Sequence, residues 1–262
     1  MFAIPTRRGR ILATLSAFMI FMSACMFQNL KAEQTPKETA DSKGWVELIG
    51  PSGSLDEWTP AAGWMNVGRV WLSAADLKKL AASKGKGVVY NGPTGRAFNL
   101  LTKSGFGDLE FHGEFLVPKG SNSGVKFEAV YEVQIYDSYG VKKVTASHTG
   151  GVYPRAEFLP KYHHIDEGFP PKTNASKPPG EWQTLDIVFR APKFDSDGKK
   201  FASARFDKIA LNGQVVQEDL EVPYPTGNNW RNTEHPTGPI MLQGDHGSVA
   251  FRNVRVRTLT PR

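Results

Sequence analysis

The chain has 262 residues, with 40% hydrophobic, 11% aromatic and 22% charged residues, enough apolar material for one large folded domain and too much for a disordered chain. Its formal net charge is +6, but Arg7, Arg8 and Arg10 lie in the first 25 residues, where there is no acid. That leaves 29 basic against 26 acidic residues, a balance that argues against a nucleic-acid binder.

The N-terminus reads as a targeting segment. Arg7, Arg8 and Arg10 precede an apolar run over residues 11–22, shorter than a membrane span, and then Met22-Ser23-Ala24-Cys25. That tetrad resembles a bacterial lipobox, whose cysteine becomes the lipidated first residue. Cys25 is the only cysteine in the chain. We therefore expect residues 1–25 to be a lipoprotein-type signal ending at Cys25, and the protein to be exported and membrane-anchored, facing the periplasm or cell surface. Ordinary secretion with cleavage after Ala32 is the alternative. Residues 26–43 are polar, carry Pro36 and lack periodicity, as in a flexible tether.

From residue 44 to residue 262, short apolar-alternating runs are separated by clusters of Gly, Pro, Asn and Asp, the pattern of an all-β sandwich with at most a few short helices. Ser73 and Asp76 ahead of Leu77 and Leu80 predict one such helix near residues 74–82. Residues 108–117 form the clearest strand, with Leu109, Phe111, Phe115 and Val117 on one face and Asp108, Glu110, His112 and Glu114 on the other. Residues 131–136 alternate in the same way, Tyr131, Val133 and Ile135 against Glu132, Gln134 and Tyr136. Residues 161–179 read as a long irregular loop. Residues 182–190 place Leu185, Ile187 and Phe189 on one side. Asn212-Gly213 between apolar flanks predicts a hairpin. The last strand, residues 249–259, changes apolar phase between Phe251 and Val254, which predicts a bulge near Arg252-Asn253.

Four constellations could carry chemistry. Glu132 and Gln134 share a strand face and Asp137 ends the strand, so a carboxylate and an amide could hold sugar hydroxyls and move a proton; a solvent-facing polar row is the plain alternative. Gln243-Gly244-Asp245-His246-Gly247 sets an acid–base pair between glycines, where a polar turn is the alternative. Trp45, Trp58, Trp64, Trp71, Trp182 and Trp230 could supply platforms for sugar faces or simply fill the core. His148, His163, His164, His235 and His246 leave a divalent metal open, although none has H-E-x-x-H spacing. Neither Walker spacing nor a G-x-S-x-G elbow is present.

Taken in order, Asn122-Ser123-Gly124-Val125, the run from Tyr131 to Ser138, Gly150-Gly151-Val152-Tyr153, Asn174-Ala175, the run from Lys177 to Gln183, Leu211-Asn212-Gly213, the run from Gly238 to Gln243, His246-Gly247 and the run from Phe251 to Val254 resemble the 3-keto-disaccharide hydrolase family over about residues 44–260. The resemblance implies a concanavalin A-like jelly-roll sandwich of two antiparallel sheets. It also implies action on 3-keto-glycosides, as in 3-keto-glucoside lyases and 3-keto-2-hydroxyglucal hydratases. Gly244 departs from the family pattern, which runs from the glutamine directly to Asp-His-Gly.

The C3 ketone acidifies the C2 hydrogen, so a base can drive expulsion of the C1 substituent before water adds to the enone. The reaction needs no nicotinamide or other cofactor. We expect Glu132 and His246 to be the proton-transfer pair. Gln134, Asp137, Gln243, Asp245, Arg252 and Trp182 are expected to bind substrate, with a structural ion pair as the alternative for Arg252. The expected partner is a 3-keto-disaccharide or other 3-keto-glycoside, made upstream by a separate sugar oxidoreductase. No nucleic-acid partner is expected, and membrane contact only through the lipid on Cys25. A non-catalytic carbohydrate-binding sandwich is the alternative function.

Overall fold

The computed structural model describes residues 44–260. Cys25, the signal over residues 1–25 and the tether over residues 26–43 lie outside them. The strands in chain order are β1 (Val46–Ile49), β2 (Trp58–Thr59), β3 (Met65–Leu72), β4 (Leu80–Tyr90), β5 (Leu100–Thr102) and β6 (Leu109–Leu116). Then come β7 (Asn122–Phe127), β8 (Tyr131–Tyr136), β9 (Ala156–Glu157), β10 (His163–His164), β11 (Gln183–Arg190) and β12 (Lys193–Phe194). β13 (Lys200–Ala202), β14 (Ala204–Leu211), β15 (Gln214–Val222), β16 (Met241–Leu242) and β17 (Ala250–Thr258) complete the set.

Two antiparallel sheets pack face to face as a jelly-roll-type sandwich. The larger has the order β15-β14-β11-β6-β17-β4-β3, with β1 also pairing β17; the smaller has the order β2-β5-β16-β7-β8. Strand alternation decides which side chains enter the core. Leu109, Phe111, Phe115, Leu185, Ile187 and Phe189 of the larger sheet are buried against Val125, Phe127, Tyr131, Val133 and Ile135 of the smaller. Phe127 stacks on Phe189 with ring centroids 4.9 Å apart and meets Phe111 edge-on at 5.8 Å.

The hairpin and the bulge form where their local chemistry places them. Asn212 (φ 53°) and Gly213 (φ 80°) make the turn between β14 and β15, both in the left-handed region that a two-residue hairpin turn requires. Register slips between Arg252 and Arg255, with Asn253 at φ 48°. The helix expected near residues 74–82 is instead a turn. Strands β3 and β4 pair right up to Leu72 and Leu80, so the chain must reverse between them. Asp76 does this locally: its side chain accepts from Lys78 N–H and its carbonyl from Lys79 N–H, each at 2.9 Å. No helix among the described residues is long and apolar enough to cross a membrane.

β8 departs from simple inside–outside alternation. Glu132 and Gln134 are as buried as the core residues between them, at 5% and 2% exposure, so the outer face of the smaller sheet is covered.

Candidate active site

Sheet register places the covered side chains in rows. Met241 on β16 stands opposite Lys126 on β7, and Lys126 stands opposite Glu132 on β8. Tyr153 extends this row, because residues 150–153 add to the free edge of β8: Val152 bridges Val133, and Tyr153 N–H donates to the Glu132 carbonyl at 3.0 Å. The neighbouring row runs Gln243, Gly124, Gln134, Gly151. Gln243 N–H donates to the Gly124 carbonyl at 2.9 Å, Gly124 pairs with Gln134, and Gln134 N–H donates to the Gly151 carbonyl at 2.8 Å.

The two rows form the floor of a cavity of about 650 Å³. Phe158 and Tyr162 from the β9–β10 hairpin, Asn228 and Asn229 after β15, and Asp245 and His246 after β16 form its walls. At the centre of the floor, Lys126 Nζ lies 3.2 Å from Glu132 Oε2, with both side chains more than nine-tenths buried. An ion pair this deep is held by its partner: breaking one typically costs about 3–5 kcal/mol, since the survivor is left charged and buried.

His246 and Asp245 stand at the rim, about half exposed, with His246 Nδ1 2.6 Å from Asp245 Oδ1. That contact orients the imidazole so that Nε2 is its free end. Arg96 donates to the Asp245 carbonyl from the neighbouring loop. Gly244, the residue that departs from the family pattern, is built into this rim. Its N–H donates to Asn99 Oδ1 at 2.9 Å, and its carbonyl accepts from Ala97 N–H at 2.9 Å and from Asn91 Nδ2 at 3.0 Å. A Cβ there would stand 2.7 Å from Trp64, so only glycine fits. Asp245 and His246 therefore still line the cavity.

Beyond Glu132, Tyr153 Oη lies 2.9 Å from Tyr162 Oη and 3.2 Å from His164 Nε2. Burial, and after it the hydrogen bond to Tyr162, pushes the Tyr153 phenol above its ordinary range, so it stays protonated. A smaller cavity of about 280 Å³ lies behind Tyr153, but its cation, Arg155, is tied to Asp166 at 2.6 Å.

Of the residues singled out in the sequence, Glu132, Gln134, Gln243, Asp245 and His246 meet in the cavity. Three others that were expected to bind substrate do not, and neither do His148, His163, His164, His235 or any of the tryptophans. Asp137 sits beyond the end of β8, where Oδ2 accepts from Gly120 N–H at 2.9 Å and ties down the turn before β7. Arg252 and Trp182 lie on the outer face of the larger sheet, across the core from the cavity. There Arg252 donates to Glu114 at 2.7 Å and its guanidinium covers the Trp182 ring at 4.1 Å. Glu114 alternates with the core residues Phe111 and Phe115, and that parity points the whole cluster away from the site. Trp58 and Trp64 are core residues. Among the described residues no group of three or more His, Cys, Asp or Glu converges to hold a metal ion.

Lys126, Asn99, Tyr153, Phe158 and Tyr162 were not anticipated as site residues. Lys126 had a signal. Lys126 lies between the apolar Val125 and Phe127, and shares its strand face with Asn122 and Gly124, the same alternation that marks Glu132 and Gln134.

The sequence model of the 3-keto-alpha-glucoside-1,2-lyase-like domain matches residues 44–257. No curated protein matches the chain. Among solved structures, a candidate glycosyl hydrolase of Parabacteroides distasonis ATCC 8503 is 26% identical, with TM-score 0.61 over 83% of this chain and 84% of its own. A second candidate glycosyl hydrolase of that organism is 20% identical, with TM-score 0.52 over 82% of this chain and 99% of its own. At that identity the second likeness speaks to fold alone.

Proposed function

Because this chain belongs to the 3-keto-alpha-glucoside-1,2-lyase-like domain family, we propose that the cavity over β16, β7 and β8 cleaves 3-keto-glycosides by elimination followed by hydration. The observation that carries this reading is the Lys126–Glu132 pair on the cavity floor. A base and a fixed cation lie side by side there, which is what formation of an enolate requires.

In this reading Glu132 takes the C2 proton of the oxidised ring. The electron pair flows to the C3 carbonyl oxygen, where the Lys126 ammonium stabilises the developing charge. The enolate collapses, the C1–O bond breaks, and the leaving oxygen takes the proton that Glu132 removed, while His246, whose ring Asp245 orients, takes a proton from the water of the second step and passes it to C2. The product is a 2-hydroxy enone. Water then adds at C1, C2 regains a proton, and 3-ketoglucose leaves, so the sum is hydrolysis with no net redox change. In the same reading Gln134 and Gln243, which line the cavity on the row beside the pair, hold ring hydroxyls.

The test is release of 3-ketoglucose from a 3-keto-disaccharide. A positioned base or acid is typically worth about 10²–10⁴-fold, so Glu132→Gln and His246→Ala should each lower turnover within that range in folded protein. Binding of the sugar with no turnover by the wild-type protein would instead assign the cavity to a carbohydrate-binding module. Near-wild-type turnover by Glu132→Gln would remove Glu132 from the mechanism.

A further inference from the structure

The hairpin of β9 and β10 carries apolar surface that the fold does not use. Phe158 is 61% exposed, Leu159 79% and Tyr162 48%, although buried aromatic area is the main source of core stability elsewhere in the molecule. Phe158 and Tyr162 both line the cavity, and their ring centroids are 5.8 Å apart.

The hairpin is braced rather than loose. Arg231 bonds Glu157 at 2.5 Å at its base, and Ala156 N–H donates to the Gly227 carbonyl at 2.9 Å. Tyr162 Oη meets Tyr153 Oη, and His164 packs edge-on to both Tyr153 and Tyr162 with centroids 5.3 and 5.7 Å away. Two exposed rings are therefore held in fixed orientation beside a polar floor. They sit past Tyr153, on the side of Glu132 away from Lys126 and Gln243.

We propose that Phe158 and Tyr162 form a subsite for the leaving group, taking the apolar face of a second sugar ring while the oxidised ring lies over Lys126, Glu132 and Gln134. This rests on the reading of the cavity as a 3-keto-glycoside site. The polar side chains of the floor suit the hydroxyl- and carbonyl-bearing ring, and the aromatic pair suits a ring whose C–H face needs only shape and dispersion. Stacking on an aromatic ring is commonly worth enough to change affinity by about 2- to 12-fold.

The experiment compares the affinity of a 3-keto-disaccharide with that of methyl 3-keto-glucoside, by titration calorimetry on Glu132→Gln protein whose thermal melt shows it folded, so that neither ligand turns over; the Lys126→Met/Glu132→Gln protein, which leaves no charge of the pair buried alone, takes its place if the single variant does not fold. We expect the disaccharide to bind more tightly. Adding Phe158→Ala or Tyr162→Ala should shrink that advantage by about 2- to 12-fold, and Tyr162→Phe, which keeps the ring, should preserve it. Phe158 is mostly exposed, so its replacement should not disturb folding. Equal affinity for the two ligands overturns the proposal. So does an unchanged advantage in Phe158→Ala, or a loss found only in Phe98→Ala, since Phe98 is exposed in the adjoining hollow beside Asp245. If wild-type protein releases no 3-ketoglucose yet the disaccharide advantage and its loss are seen, the catalytic reading fails and the subsite stands. Binding of neither ligand overturns both.

Discussion

Gly124 and Glu132 share one space: a Cβ on Gly124 would stand 2.5 Å from Glu132 Oε1 and 3.2 Å from Glu132 Cδ. The glycine in the middle of β7 thus leaves a hollow in the sheet surface into which the carboxylate settles. Gly124→Ala should displace that carboxylate, which is the far end of a flexible side chain, more readily than it disturbs the sheet. We expect a loss of turnover of at least about 10²-fold, within the range for losing a positioned base, with a smaller fall in Tm than Lys126→Met causes, because the displaced carboxylate keeps its buried partner. A steady-state assay beside a thermal melt checks this, and a melt that collapses with the activity would count against it.

Lys126→Met removes the cation and leaves Glu132 buried without its partner. Stability should fall by about 3–5 kcal/mol, and turnover by about 10²–10³-fold for a lost charge-stabilising contact. The double variant Lys126→Met/Glu132→Gln separates the two effects. Removing both charges should restore most of the stability and none of the turnover. Chemical denaturation of the three proteins reads the first quantity and 3-ketoglucose release the second.

Glu128 supplies a pH dependence away from the site. It occupies the turn between β7 and β8, is buried, and neither of its carboxyl oxygens has a hydrogen-bond partner. Burial, and after it the charge of Glu234, pushes its carboxyl up to about 8 against the opposing pull of Lys193, with Asp108 adding a smaller push upward. The folded value lies above the unfolded one, near 4.5, so the folded protein keeps this proton where the unfolded chain has lost it. The stability from the neutral form is therefore complete below the unfolded value and is lost as pH rises toward the folded one. Glu128→Gln, which is neutral at every pH, should show a flatter fall in Tm between about pH 5 and about pH 9 than the wild type. Parallel melts across that window check it, and identical slopes would remove Glu128 as the source.

Cys25 bears on where the protein acts. We propose that it is lipidated after signal removal, on the basis of Met22-Ser23-Ala24-Cys25 and the absence of any other cysteine. A single acyl chain binds membranes only marginally, so more than one chain on the N-terminus is expected. Full-length protein should fractionate with membranes and Cys25→Ala should be released. Equal release of both would count against the anchor.

Much of the fold was legible because it is set by neighbours in the chain. The alternation at Leu109, Phe111 and Phe115, or at Leu185, Ile187 and Phe189, commits a strand to one buried face before any partner is known. Asn212-Gly213 and the phase change at Arg252-Asn253 act through backbone conformations that those residues adopt locally. The helix near residues 74–82 was misread because Asp76 serves a turn and a helix start equally well, and the pairing of β3 with β4 decided between them.

The site was legible only in part. Glu132 and Gln134 on β8 look the same in sequence as Glu110 and Glu114 on β6: acidic or polar residues alternating with a core face. The first pair is roofed by loops more than ten residues away in the chain and the second is not, a difference made by packing at long range. It is also why Arg252 and Trp182 fell on the wrong side of the sandwich. Lys126 meets Glu132 because the hairpin turns at Glu128-Ala129, at φ 53° and 58°, conformations that neither residue type favours. By itself the sequence determined the strongly alternating strands β6, β8, β11 and β17 and the β14–β15 hairpin, the side each strand buries, and the family. Only the tertiary structure decided which polar face became a cavity and which cation stands beside its carboxylate, because both depend on contacts that no local preference encodes.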